Sequence, residues 1–194
     1  MGKDIIFTTE TDGLVKHTIV NDKFIHLFPN MIDISLRIVG ANENLDILID
    51  NDIDIKPEMT RIHGITNEDI VDKGIRPKQA IEVIDKVIQD GDVLITHNAK
   101  FHSKVLEAFY FRLGKKMPEI SFLCLQGLGT EICKLGEKIN GKHKYPKLDE
   151  ILDHFKVRGD DNKLNKILQC FDLIKESVNE QAKSKRVSSQ VQEG

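Results

Sequence analysis

Cysteine is scarce in this chain. Cys124, Cys133 and Cys170 are an odd number, and none stands in a CxxC spacing. That argues against a disulfide framework or a cysteine-built zinc site, and it makes a reducing, intracellular (cytoplasmic) setting the expectation. Net charge is small too, −3 over 194 residues. No overall field draws the chain to nucleic acid, so any such binding must rest on a local patch. No apolar run approaches the ~18 residues that a membrane helix needs, and no charged-then-apolar leader opens the chain. No membrane partner is expected. Internal repeats are missing, as is any linker that would split a domain. What is present is 40% hydrophobic and 30% charged residues, the balance of a soluble globular protein with length enough for a real core. Residues 1–182 are expected to form one domain. Residues 183–194, dominated by Ser, Gln and Lys, are expected to be a disordered tail.

The first informative stretch runs from Ile5 to Leu14. An apolar run turns polar, ends on Glu10 and is stopped by Gly13. This reads as a buried strand that delivers polar side chains to its carboxyl edge, where open α/β sheets build their sites. Val20 to Asn30 reads as a loop. Met31–Val39 and Leu45–Ile49 alternate apolar with polar, so the first three strands look like an antiparallel meander; the gaps are too short for crossover helices. Pro57 suits the start of a short helix, Gly64 its end, and Thr66 the cap of the next. Pro77 opens a helix with Ala80, Ile81, Val83, Ile84, Val87 and Ile88 at helical spacing, closed by Gly91. Asp92–Asn98 is a fourth strand with a polar end, Phe101–Leu113 a helix, Ile120–Leu125 a short strand and Gln126–Leu135 a helix. Leu148–Phe155 and Asn162–Ala182 complete the helices. Between them, residues 134–147 carry Lys134, Lys138, Lys142, Lys144 and Lys147 against Glu137. That local basic excess suits either a solvated loop or a phosphate-facing patch.

Several local signatures accompany this order of elements. Phe7-Thr8-Thr9-Glu10-Thr11-Asp12-Gly13-Leu14 is similar to an Asp-x-Glu-Thr-Thr-Gly motif. Pro57 to Ile70 is very close to a proline-initiated "RIHGIT" segment. His97-Asn98-Ala99-Lys100-Phe101-His102 is similar to "HNAxFD", and Tyr145 to Phe155 looks like a "KLDAL…F" helix. Over about residues 4 to 176 the chain thus resembles the DnaQ-like (DEDDh) 3′–5′ exonucleases, the family that includes the epsilon proofreading subunit of DNA polymerase III. The resemblance implies a ribonuclease H-like α/β fold: a mixed five-stranded sheet with helices on both faces.

Such enzymes are understood to cut phosphodiester ends with two divalent metals about 3.5–4 Å apart, which activate water and stabilise the leaving oxygen. Carboxylates must neutralise that pair, because magnesium wants hard oxygen ligands, and a histidine serves as general base. Carried over by motif, the first aspartate position falls on Thr8, the glutamate on Glu10 and the second aspartate on His102. The last motif falls on Asp161 for the base and Lys166 for the final metal position. Glu10 is then the only carboxylate at a metal position. Against two dications the matching set is far too weakly negative, so two-metal catalysis is expected to be lost. Lys166 is expected to fill the vacated space and pair with Glu10. A rearranged set of Glu10, Asp12, His102 and Asp161 is the alternative metal site. No cofactor, or weakly bound magnesium or manganese, is expected. The resemblance assigns substrate contacts to Thr11, Arg61, His63, Thr66, His97, Asn98, Lys142 and Lys144. The implied partners are a single-stranded 3′ end and a polymerase or other protein. The expected function is a degenerate exonuclease homologue acting as a binding module; a slow or manganese-dependent exonuclease and a pure protein-interaction module are the alternatives.

Overall fold

The computed structural model describes the backbone of residues 2–137, 141 and 143–192, and side chains as far as Lys183. The chain divides into two compact units, Met1–Leu123 and Cys124–Gly194.

The first unit is built on β1 (Asp4–Thr11), β2 (Met31–Ile38), β3 (Leu45–Leu48), β4 (Val93–Thr96) and β5 (Ser121–Cys124), in the order β3-β2-β1-β4-β5. The β1–β2 and β2–β3 pairs are antiparallel and β1–β4 is parallel. The sheet is therefore mixed, with the expected meander at one side. Residues paired across a ladder point to the same face. On one face the pairs are Phe7 with Leu36, and Ile34 with Ile47. These join Ile5 and side chains from α3 (Pro77–Val87) and α4 (Ala99–Arg112), including Ile84, Leu106 and Tyr110, in the main core. Burying each such aliphatic side chain stabilises the fold by about 1.5–3 kcal/mol. On the other face Glu10 lies opposite Asp33, Thr8 opposite Ser35, and Ser35 opposite Asp46. Leu48, opposite Asp33, packs there with Ile32, Ile55 and Ile70 of α2 (Asn67–Lys73) in a small second core. Helices thus cover both faces of the sheet within this unit.

Local chemistry sets the helix ends. Pro57 opens α1 (Pro57–His63), and Gly64 ends it at φ +81°, a left-handed conformation that glycine adopts without strain. Thr66 caps α2: its hydroxyl accepts from the Asp69 N–H, while its own N–H and O–H donate to the Asp69 carboxylate. The Thr66 hydroxyl bond leads the causes holding the Asp69 carboxyl below its ordinary range. One boundary differs slightly: α3 ends at Val87, before Gly91.

The second unit packs α5 (Leu125–Cys133), α6 (Leu148–His154) and α7 (Lys163–Gln192) against one another. Gly129 of α5 lies flush with this packing; a Cβ there would sit 2.8 Å from Ile151 and 3.0 Å from Pro146. Leu164, Ile167, Phe171 and Ile174 form the buried stripe of α7. Its backbone runs to Gln192, ten residues past the expected end at Ala182. Residues 183–192 contain neither proline nor glycine, so nothing local stops the helix. The last two residues of the expected tail lie outside the described set.

Candidate functional site at the carboxyl edge of the central strand

β1 and β4 are paired only from Asp4↔Val93 to Ile6↔Ile95. Beyond Ile6 the strands part, and the β1 amide at Thr9 needs another acceptor. His102 supplies it from the first turn of α4. Its Nδ1 accepts the Thr9 N–H at 3.2 Å and lies 2.8 Å from Thr9 Oγ1. Because the backbone N–H can only donate, Nδ1 is the unprotonated nitrogen and the neutral ring carries its proton on Nε2. His102 is 6% exposed and packed edge-on against Phe7 and Phe101, with ring centroids 5.7 and 5.1 Å away. Asn98 fixes the start of this helix, its side chain accepting from the Phe101 N–H at 3.3 Å.

Thr8 lies on the opposite face from Thr9, 4% exposed, and its Oγ1 has no hydrogen-bond partner among the described residues. Glu10, half-buried, shares that face and stands across the ladder from Asp33. A β-bulge between Glu10 and Thr11 then shifts the register and redirects the chain from Thr11 onward. Thr11 is buried and donates to the Gly13 carbonyl at 2.7 Å. Asp12 accepts from the Asn30 backbone N–H at 2.6 Å and its side-chain amide at 2.8 Å. Of the rearranged set of Glu10, Asp12, His102 and Asp161, two members of the first unit already have protein partners: Asp12 holds Asn30 and His102 holds Thr9. Among the described residues, no three His, Cys, Asp or Glu side chains come together in a way that could hold a metal ion.

Other motif residues have structural partners. Arg61 is exposed on α1, and His63 Nδ1 accepts from the Ile65 N–H at 3.1 Å. Thr66 and Asn98 are helix caps, and His97 is half-buried just past β4. Lys142 lies outside the described residues, as does Lys138. Lys144 pairs with Glu150, which lowers the Glu150 carboxyl and takes one cation from the basic patch. Asp161 is exposed just before α7, where Asn162 accepts from the Leu164 and Asn165 N–H groups. Lys166 donates to Asp149 of α6 at 2.7 Å. That bond leads the causes raising its ammonium above the ordinary lysine range. The amine expected against Glu10 is thus held inside its own unit, because α6 and α7 are packing neighbours.

Three residues that matter here carry no sequence signal. Asp33 becomes relevant only through the β1–β2 register. Thr9 matters because β4 leaves its amide. Arg112, at the end of α4, donates to the carbonyls of Ile25, Phe28 and Pro29 at 3.2, 2.6 and 2.8 Å and so clamps the loop between β1 and β2.

The family described as Exonuclease (RNase_T) matches residues 9–162, a span that runs through both units. Solved structures with the same fold include those of exonuclease I. A product-bound exonuclease I superimposes with a TM-score of 0.69 at 14% identity, covering 90% of this chain and 43% of that one. A complex described as ExoI/SSB-Ct gives 0.67 at 13% identity, over 90% of this chain and 41% of the other. Escherichia coli exonuclease I with a dT13 oligonucleotide gives 0.64 at 13% identity, over 89% and 39%. This chain spans about two fifths of those proteins' length. At such identity the likeness is one of fold: the ribonuclease H-like mixed sheet with its helices. No curated protein sequence matches the chain.

Proposed function

The chain belongs to the exonuclease family RNase_T, and from that premise we propose that it binds single-stranded 3′ ends without two-metal cleavage, as a degenerate relative of epsilon-like proofreading subunits. The observation that carries this reading is the state of His102. At the second-aspartate position stands a buried ring whose Nδ1 is already taken by the Thr9 N–H. The remaining positions suit a pair of dications no better. Thr8 offers a neutral hydroxyl, and Lys166 brings a positive charge bound to Asp149. One carboxylate, Glu10, is left, and magnesium selects hard anionic oxygen. The residues present do not fit the family's metal pair.

Within the first unit, the residues proposed to meet a strand end are the Glu10–Thr11 turn, Arg61, His63 and His97. Exonuclease I is described in complex with oligonucleotides and with SSB-Ct. By analogy, a single strand and a polymerase or other protein are the partners proposed for this chain. The odd, small number of cysteines without CxxC spacing is the basis for proposing a reducing, cytoplasmic setting. No helix is long and apolar enough to cross a membrane among the described residues.

One observation favours a second reading, a slow or manganese-dependent exonuclease. Glu10 and Asp33 face each other across β1 and β2, so two carboxylates share one surface. Digestion of a 3′-labelled single strand with magnesium and with manganese separates the two readings. We expect no laddering with either metal, together with binding whose log affinity falls by about 0.7 per phosphate contact per decade of salt. Laddering that Glu10→Ala abolishes would overturn the degenerate reading. Neither cutting nor binding would leave a pure protein-interaction module. If binding alone is seen, the triple change Thr8→Asp, His102→Asp and Lys166→Asp tests whether cutting can be restored.

A further inference from the structure

Far along the first unit's chain from Glu10, the segment after β3 and the outer side of α2 form two adjoining shallow hollows of about 380 and 440 Å³, sharing Asn67 and Val71. Ile53 and Ile70 belong to the floor, and both pack into the small second core below. Val71 stands at the junction and is 86% exposed, an unusual position for a branched aliphatic side chain flanked by polar neighbours. Around it lie Asp52, Asp54, Glu68 and Asp72, all exposed. The nearby cations are engaged elsewhere: Arg76 pairs with Asp50 at 2.9 Å and Lys73 with Asp69 at 3.7 Å. Among the described residues no cation pairs with any of the four rim carboxylates.

The surface is also preformed. Asn67 Oδ1 accepts the Ile55 N–H at 2.7 Å, and Asp50 Oδ1 accepts the Asp52 N–H at 2.9 Å, holding Asp52 at φ +59°. Ordering this loop at the moment of binding therefore costs little.

We propose that this cleft docks a protein segment that is basic and carries an aliphatic side chain. The aliphatic group would cover Val71 and Ile53, and lysines or arginines would meet the four carboxylates. Charge complementarity selects this occupant. Phosphate backbones and anionic lipid headgroups are repelled by the same rim, so the cleft is not an extension of the strand-binding edge. The inference stands apart from the proposed nucleic-acid function and adds a second, oppositely selective surface to the same unit.

The test is anisotropy with a fluorescein-labelled peptide KKLRKIK, its aliphatic-free counterpart KKSRKSK, and the acidic counterpart EELEEIE. Combining Asp52→Asn, Asp54→Asn, Glu68→Gln and Asp72→Asn should weaken KKLRKIK at least tenfold and flatten its salt dependence. Val71→Ser should weaken it at least threefold while leaving KKSRKSK unchanged. All five side chains are exposed, so the variants should melt like the parent and bind single strands equally well. Equal binding of KKLRKIK and KKSRKSK, with Val71→Ser neutral, would reduce the cleft to a diffuse counter-ion surface and overturn the proposal. So would binding of EELEEIE. A dimer in light scattering that Val71→Ser makes monomeric would also overturn it, in favour of a second copy of this chain.

Discussion

The two ends of β1 solve the same backbone problem in opposite ways. At its start, Ile5 and Ile6 are laddered to β2 on one side and β4 on the other. The side chains of Ile5 and Ile6 there have no exposed surface. The turn into β4 is locked as well: buried Asp92 accepts the N–H groups of Lys3 and Gln89 at 2.7 and 2.9 Å, with the Lys3 ammonium 3.5 Å away. At its far end the β4 ladder is gone. A histidine replaces a strand carbonyl as acceptor, a threonine hydroxyl is buried without a partner among the described residues, and two carboxylates face each other. At the first end the backbone is satisfied by strand ladders, and at the second by side chains.

The largest expected effect lies at the closed end. Ile5→Ala removes a side chain with no exposed surface from the main core and should cost about 2–5 kcal/mol in urea unfolding. A change below about 1 kcal/mol would mean that the strand start is not packed as described. Next comes the open end. His102→Ala strips the Thr9 amide of its acceptor and leaves a hole against Phe7, a loss of about 2–4 kcal/mol. His102→Asn, which keeps an acceptor, should recover part of it; equal losses for both variants would remove the hydrogen bond from the explanation.

Asp92 adds a pH dependence to the closed end. Burial pushes its carboxyl up, but the Lys3 and Gln89 N–H groups and the Lys3 ammonium together bring it below its ordinary value. A carboxyl lowered in the folded state stabilises above its unfolded pKa and loses that contribution as pH falls through the folded value. Asp92→Asn should therefore cost about 1–2 kcal/mol near neutral pH and show a shallower loss of stability below pH about 4. An unchanged acid limb would assign that limb to other carboxylates. The smallest effect is expected from Thr8→Val. Replacing a buried hydroxyl that has no partner by a methyl group should be neutral or stabilising by up to about 1 kcal/mol. A loss comparable to that of His102→Ala would mean that Oγ1 is bonded after all.

Elements governed by neighbours in the chain are legible without the fold. Pro57, Gly64 and Thr66 act within one or two turns, and the helix boundaries they imply are the ones the structure has. The alternation in Met31–Val39 places Ile34 and Leu36 on the core face for the same reason. The end of α7 is less legible, because the polar composition of residues 183–192 resembles that of a disordered tail although nothing in them interrupts a helix. Site partners are harder still. Thr66 and Asn98 carry motif resemblance, yet each is engaged as a helix cap. Asp12 has the chemistry of a spare ligand and instead fixes Asn30. Lys166, expected against Glu10, pairs with Asp149, a neighbour provided only by helix packing.

By itself the sequence determined the strands and helices and the apolar faces that bury them, and it raised the expectation that Thr8, His102 and Lys166 stand where the family has acidic residues. Those follow from periodicity, capping and charge, which act locally along the chain. The tertiary structure decided where β1 and β4 separate, that His102 turns its Nδ1 to Thr9, that Asp33 stands across from Glu10, and that four carboxylates ring Val71. Each of these depends on register or packing between segments distant in sequence, and neither property is written in any one segment.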